Sequence, residues 1–270
     1  RKTWGFCLSQ KQLRNIKNKK YKVVIDSSLK DGVMDYGETL LKGKSKKEIL
    51  FTSYVCHPSM ANNELSGPLV LLALIKYFSK IKNNLSLRFV FVPETIGSIS
   101  FIKKNLKKLR KNVVGGYVLT CIGDERSYSY LKSKYGNSLS DKAAKLTFKE
   151  LKIKPKYYSF LHRGADERQY NSPGVDLKIG SIMRSKYGSY PEYHTSLDNF
   201  KLVTLKGLSG GYRVAKKSII NLQKIFFQDR RKEFVALKIK SLNPKSNYIC
   251  EPNMGKRNLY PKISKKDANY

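Results

Sequence analysis

The chain has 270 residues, 40 % of them hydrophobic, enough for one large α/β core and too many for an intrinsically disordered chain. Its net charge is +34, from 54 Lys and Arg against 20 acidic residues, and a charge of that size raises nucleic acid or an anionic membrane as partners. The excess is lysine spread over the whole length rather than arginine gathered in one arm, so nucleic acid is not the expected partner of this portion, and no apolar run approaches the ~20 residues of a membrane span.

In chain order, residues 1–20 are basic, with an apolar Trp4–Leu8 cluster that predicts an edge segment followed by a short helix. Tyr21–Asp26 reads as a strand, Asp31-Gly32 and Tyr36-Gly37 as turns, and Glu38–Leu41 as a further strand. Glu48–Val55 has the nearly continuous apolar end of a strand buried on both faces. A polar loop around His57 follows, and then a buried helix over Gly67–Ile81. Leu85–Val92 is the next strand, and Gly97–Leu109 has helical spacing with a basic outer face. Val113–Ile122 is a third central strand, and Leu139–Leu151 a helix capped by Ser138 or Ser140. Leu161–Tyr170 is loop-like, Leu177–Met183 a short strand, and Leu205–Phe227 a long helix with Thr204 as candidate cap. After Phe227 the pattern changes: a charged run and Pro244, Pro252 and Pro261 predict a linker. Strands alternating with helices imply an α/β fold with a mostly parallel sheet covered on both sides.

Four strand-end loops carry ligand-type side chains: His57 with Asn63 and Glu64, then Glu94, Asp124 and His194. The carboxyl ends of strands converge on one crevice in such folds. Two histidines, a glutamate and another oxygen donor suit a Zn²⁺ ion of mixed N/O ligation with one position open to water. An ion of that kind acidifies water and polarises a scissile carbonyl. The competing readings are a core-edge histidine at 57 and helix-terminal carboxylates at 94 and 124. Arg163, Asp166, Glu167 and Arg168 form a dense charge cluster. It reads either as an ion-pair network or as substrate anchoring, with Asp166 or Glu167 for an α-amino group and Arg163 or Arg184 for a carboxylate. Tyr187, Tyr190 and Tyr193 read as a pocket rim, and His162 as structural. Cys7, Cys56, Cys121 and Cys250 form no C-x-x-C pair; with no leader peptide in view they predict reduced thiols and a cytoplasmic protein.

The segments Cys56–Gly67, Phe91–Ser98, Thr120–Asp124, Arg163–Tyr170 and Tyr193–Asp198 resemble a bacterial aminopeptidase-like family once catalogued as a domain of unknown function, itself similar to the M28 zinc aminopeptidases. The resemblance covers roughly residues 1–227 and implies a three-layer α/β/α fold of the zinc-exopeptidase type, with a mixed, mostly parallel central sheet. The tail Glu251–Pro261 resembles the family's link to a winged-helix domain, so 228–270 is expected to be a linker and the start of a truncated C-terminal domain. The start at Arg1 leaves the N-terminal end expected to be truncated as well.

Carried over by position, the resemblance implies His57 as the first metal histidine, Glu94 as the carboxylate ligand and His194 as the last histidine. Asn63 falls where the bridging aspartate of a two-zinc site would be, and Pro93 where the general-base glutamate would be. Thr120 takes the strand position of the second-metal aspartate, with Asp124 one turn further on. A neutral amide bridges two cations poorly, so one zinc is expected and two are the alternative, with Asn63 and Asp124 as further candidate ligands. Glu64 is a candidate oxygen donor or base, Asp124 and Asp166 are the other candidate bases, and Tyr193 is a substrate contact beside His194. The function expected is a zinc-dependent, aminopeptidase-like hydrolase acting on a small peptide or aminoacyl amide. A catalytically impaired metal-binding scaffold for an aminoacyl or glycan-linked ligand is the alternative, supported by Pro93 and Asn63; the resemblance also implies an association with polysaccharide biosynthesis. A nucleic-acid-binding protein is the third reading.

Overall fold

The structure, a computed structural model, describes residues 8–17 and 19–242, with 232–242 as backbone only. Trp4–Cys7 and the expected start of a winged-helix domain lie outside the described residues. The chain divides into two units, Arg1–Met34 and Asp35–Tyr270. In the first, helix α1 (Gln10–Asn15) opens on a capping box: the Ser9 hydroxyl accepts the Gln12 amide, and the Gln12 side chain accepts the Ser9 amide. The strand expected over Tyr21–Asp26 does not form. Its Val and Ile side chains are exposed, and a β-prone run stays extended coil where no neighbouring strand takes its amides.

The second unit is built on a seven-stranded sheet of order β1-β3-β2-β4-β7-β5-β6. The strands are β1 (Gly37–Leu41), β2 (Ser45–Tyr54), β3 (Leu85–Val92), β4 (Val113–Leu119), β5 (Ser129–Leu131), β6 (Lys156–Tyr158) and β7 (Ile179–Met183). The β3-β2-β4-β7 centre is parallel, while β1 on β3 and β5 on β7 run antiparallel, so the sheet is mixed as expected. Gly37 opens β1 rather than closing a turn. The sequence did not signal β5 and β6, because three residues are too short for a period-two pattern.

Side chains alternate across β2. Ile49 and Phe51 enter a core with Leu71, Leu74, Phe78, Tyr117, Val214 and Leu222, under helices α2 (Ser66–Phe78), α4 (Leu139–Glu150) and α6 (Leu205–Leu242). Leu50 faces the other way, toward Val90, Phe101, Leu109 and Tyr170, under α3 (Ile96–Asn112) and the short α5 (Glu167–Tyr170). That is the three-layer α/β/α arrangement. Each fully buried large apolar side chain contributes about 1.5–3 kcal/mol. Gly67 lets the start of α2 lie on the sheet, since a Cβ there would run into Ser53 and the Leu119 carbonyl. Ser138, one of the two candidate caps, closes a capping box with Asp141 at the head of α4, and the Thr204 hydroxyl accepts the Gly207 amide at the head of α6.

Helix α6 does not stop at Phe227. It runs on through the run expected to be a linker, because Asp229–Glu233 are charged helix formers and no Gly or Pro occurs between Gly211 and Pro244. No helix among the described residues is long and apolar enough to cross a membrane.

One ion cluster fixes the edge of the sheet. Arg88 of β3 is buried and donates to Glu48 of β2 from Nε (2.6 Å) and Nη2 (3.0 Å), and through Nη1 to Glu38 of β1. Burial raises the Glu48 carboxyl above its ordinary range, so this carboxylate depends on its partners. Arg88→Ala strands Glu48 in the core and is expected to cost about 3–5 kcal/mol in urea unfolding; a loss below about 1 kcal/mol would contradict the assignment.

Candidate metal-binding site

Because β2, β3, β4 and β7 run parallel, their carboxyl ends share one edge. Beyond Tyr54 the chain places Cys56 and His57; beyond Val92, Pro93 and Glu94; beyond Leu119, the loop to Asp124; and beyond Met183, the loop carrying Tyr193 and His194. Under this edge lies an apolar floor of Tyr54, Cys121, Leu131, Met183, Tyr187 and Tyr190. Ala61–Leu65 form a π-helical turn that runs directly into α2. Such turns are wider than α-helix and frequent at functional sites.

Asp198 sets this turn. Its Oδ1 accepts the Asn62 amide at 2.6 Å and its Oδ2 the Asn63 amide at 3.0 Å, with Tyr190 Oη 3.5 Å from Oδ2. The carboxylate is fully buried, so these are charge-assisted bonds at a helix start, where the backbone dipole favours an anion. The result places Glu64, also buried, behind His57. Glu64 Oε2 lies 3.1 Å from His57 Nδ1, and Oε1 accepts the Cys56 amide. Burial raises the Glu64 carboxyl, while its bonds to Cys56 and His57 hold it down. Cys56 Sγ also lies 3.1 Å from Nδ1, and with the Nδ1 proton given to the Glu64 carboxylate the lone pair of His57 is left on Nε2.

His57 Nε2 faces Glu94 Oε2 at 3.7 Å. Burial raises the Glu94 carboxyl, with His57 opposing the shift. The Glu94 carboxylate takes no hydrogen bond from any described residue, so its oxygens are available. The His194 ring lies 5.4 Å from the His57 ring, centre to centre, and stacks on Tyr193 at 4.0 Å. Burial and the neighbouring His57 lower the His194 pKa, which favours the neutral imidazole that binds metals. Cys56, His57 and Glu94 each offer a donor atom within 4.8 Å of the others. The Cys56 thiol, which sequence reasoning passed over, accepts the Glu94 amide at 3.4 Å and is pushed up to about 11, first by burial.

The other expected residues go elsewhere. Asp124 is buried and filled by four donors: Ser185 Oγ (2.7 Å), the Ser185 amide (2.8 Å), the Arg126 amide (2.9 Å) and Asn62 Nδ2 (3.3 Å). It stitches loops rather than joining His57 and Glu94. Asn63 is buried; its Nδ2 reaches Tyr54 Oη at 3.4 Å, and its Oδ1 has no partner among the described residues. Glu167 is fully buried and accepts from the Gly164 and Ala165 amides, Tyr187 and Ser181, so it is an internal clamp. Arg163 is exposed and lies over Phe160, while Arg184 is buried against the Tyr128 ring at 3.7 Å. Asp166 is fully buried, and burial pushes its carboxyl up to about 7. Of the expected substrate contacts, Tyr193 alone sits against a residue of the candidate ligand set. Two residues given no role from the sequence, Asn62 and Asp198, hold the site together. Asn62 Oδ1 also accepts the Gly123 amide at 2.8 Å.

Residues 10–224 match the family described as a domain of unknown function, DUF4910, and the chain belongs to that family. A Clostridium acetobutylicum protein, named for polysaccharide biosynthesis and an aminopeptidase-like domain, is 40 % identical over 265 residues, 97 % of this chain and 57 % of its own length. The chain therefore spans little more than half of the curated relative it matches. A crystal structure from the same organism, provisionally described as a peptidase, superposes with a TM-score of 0.74 at 41 % identity, over 83 % of this chain and 52 % of the other. The zinc aminopeptidase BSAP of Bacillus subtilis superposes with a TM-score of 0.58 at 14 % identity, over 67 % and 48 %. The fold is thus that of zinc-exopeptidase-type aminopeptidases.

Asp198→Ala leaves two buried amides without an acceptor and is expected to cost about 2–4 kcal/mol. Amide exchange should quicken first across residues 61–65; uniform protection there would contradict the capping role.

Proposed function

We propose that this member of the family is a zinc-dependent, aminopeptidase-like hydrolase that cleaves a peptide or aminoacyl amide bond. The observation that carries this reading is the pairing of His57 Nε2 with Glu94 while Nδ1 is held by Glu64. The donor types fit the ion: two imidazoles and a carboxylate are zinc ligands of the open, catalytic type, and Glu64 supplies the outer carboxylate that orients a ligating histidine. The donors within 4.8 Å of one another are Cys56, His57 and Glu94, so His194 would complete the set by turning in from beside His57. His57, Glu94 and His194 would hold one Zn²⁺, with Asn63, whose buried Oδ1 has no partner among the described residues, as a further candidate ligand. When bound, the ion supplies Lewis acidity, acidifying water and polarising the scissile carbonyl.

The chain's own residues do the rest. Glu64 keeps the proton on His57 Nδ1, and Tyr193 braces the His194 ring. The place of a general base is taken by Pro93, which cannot accept a proton. Glu64, the alternative base, is committed to two donors. Turnover is therefore expected to fall about 10²–10⁴-fold below that of an enzyme with a placed base.

Pro93 also favours the second reading, a metal-binding scaffold that recognises an aminoacyl or glycan-linked ligand without turning it over. The relative's name, which joins polysaccharide biosynthesis to an aminopeptidase-like domain, supports a ligand of that kind.

The test is leucyl-anilide hydrolysis on protein as purified, after chelation, and after one equivalent of zinc is returned. Chelator-sensitive turnover restored by zinc supports the hydrolase. Tight zinc with no turnover on any aminoacyl substrate supports the scaffold. His57→Ala is expected to fold normally and lose tight zinc, and unchanged zinc content would sink the ligand assignment. Glu64→Gln should weaken zinc about 10–100-fold, read by competition with a chromophoric chelator.

A further inference from the structure

We propose that Asp166 is a positioning residue for Glu94, holding the turn that presents its carboxylate to the site. The inference rests on the metal reading above. The sequence offered Asp166 as a contact for a substrate amino group, but the side chain is fully buried and reaches no bulk solvent. Its Oδ1 instead accepts the Thr95 amide at 2.8 Å and the Ser98 hydroxyl at 2.9 Å, across more than sixty positions of sequence. Those two donors bracket the entry to α3, directly after Glu94. Ser98 Oγ also lies 3.0 Å from the Thr95 carbonyl, so its single proton goes to either that carbonyl or Asp166, while the Thr95 amide is held by Asp166 throughout.

Thr95 needs that grip. It sits at φ 63°, ψ −70°, a strained conformation that a β-branched residue rarely adopts. Strain of that kind persists only where the surroundings impose it. Relief of that strain would shift the backbone directly after Glu94, and with it the approach of the carboxylate to His57. The Glu94 backbone is tied at its amide to Cys56 Sγ (3.4 Å) and at its carbonyl to the Ile96 amide (2.7 Å), but its side chain is not. Its carboxylate takes no hydrogen bond from the described residues, and its one side-chain partner is His57 Nε2 at 3.7 Å. Where Glu94 points is therefore set by its backbone, which Asp166 holds from the C-terminal side through Thr95. Oδ2 of Asp166 has no partner among the described residues, so the role is carried by Oδ1 alone.

That asymmetry yields the test. Asp166→Asn keeps an acceptor oxygen for Thr95 and Ser98 but can no longer take a proton, whereas Asp166→Ala removes both acceptors. Zinc affinity is read by competition with a chromophoric chelator, alongside leucyl-anilide turnover and unfolding of the metal-free protein. The expected result is wild-type zinc affinity within about threefold for Asp166→Asn and a 10–100-fold loss for Asp166→Ala, the range seen when outer-shell partners are removed. Should Asp166→Ala fail to fold, Ser98→Ala removes one side of the grip and is expected to weaken zinc several-fold with the fold intact. Unchanged zinc affinity in Asp166→Ala, or in Ser98→Ala where that is the variant in hand, would overturn the proposal. So would Asp166→Asn binding zinc as poorly as the alanine variant. Asp166→Asn with normal zinc but turnover down by 10² or more would make Asp166 the base rather than a positioning residue. If the wild-type chain takes up no zinc, the metal reading fails and this inference falls with it.

Discussion

The site depends on one buried carboxylate, Asp198, taking the amides of Asn62 and Asn63. Those residues lie more than 130 positions away, on the turn that follows His57. The contact joins two loops that leave different strands: one brings His57 and Glu64, the other Tyr193 and His194. Charge-assisted bonds are worth about 1.5–3 kcal/mol each, and burial removes the water that would compete for them. Without this tie, the parallel strands would still deliver both loops to one edge of the sheet. They would not fix which face of His57 meets His194.

The acidic residues then fall into distinct roles, which matters in a chain with so few of them against its lysines. Asp198, Asp124 and Glu167 are internal acceptors, each filled by backbone amides or hydroxyls. Glu48 serves the buried arginine of the sheet edge. Glu64 stands behind His57, and Asp166 behind the Glu94 turn. Among the strand-end carboxylates, Glu94 alone keeps both oxygens free of donors within the described residues. A dense set of buried acids therefore supplies one carboxylate to the candidate ion, and the rest shape its surroundings. The dearth of a free base follows from the same economy: every carboxylate near His57 except Glu94 already has a partner, and Pro93 offers none.

The strand–loop–helix stretches around His57 and Glu94 were readable from sequence because long apolar strands end abruptly on polar side chains, and the fold class followed from their alternation with helices. β5 and β6 were not readable, since each is three residues of pairing specified by the neighbouring strand. Tyr21–Asp26 misled in the opposite direction, as a β-prone run with no strand to pair with. The turn from linker to helix after Phe227 was missed because charge was taken as a break, although Lys, Arg and Glu sustain a helix well. In the site, residue type pointed to His57, Glu94 and His194, and the structure sets His57 beside Glu94 with the His194 ring 5.4 Å from that of His57. It could not separate Asp124 from them, because only the positions of Ser185 and Asn62 show that its oxygens are already occupied. Asp198 and Asn62 went without a role for the same reason: each acts through a contact that sequence spacing does not reveal.

The central claim is a single zinc held by two imidazoles and one carboxylate at the edge of this sheet. Zinc K-edge X-ray absorption on the chain loaded with one equivalent of metal tests it most directly. The account predicts a first shell of nitrogen and oxygen only, with the outer-ring scattering of two imidazoles, reduced to one imidazole or lost altogether in His57→Ala. A sulfur scatterer near 2.3 Å, which Cys56 would supply, or a shell unchanged in His57→Ala, would contradict it.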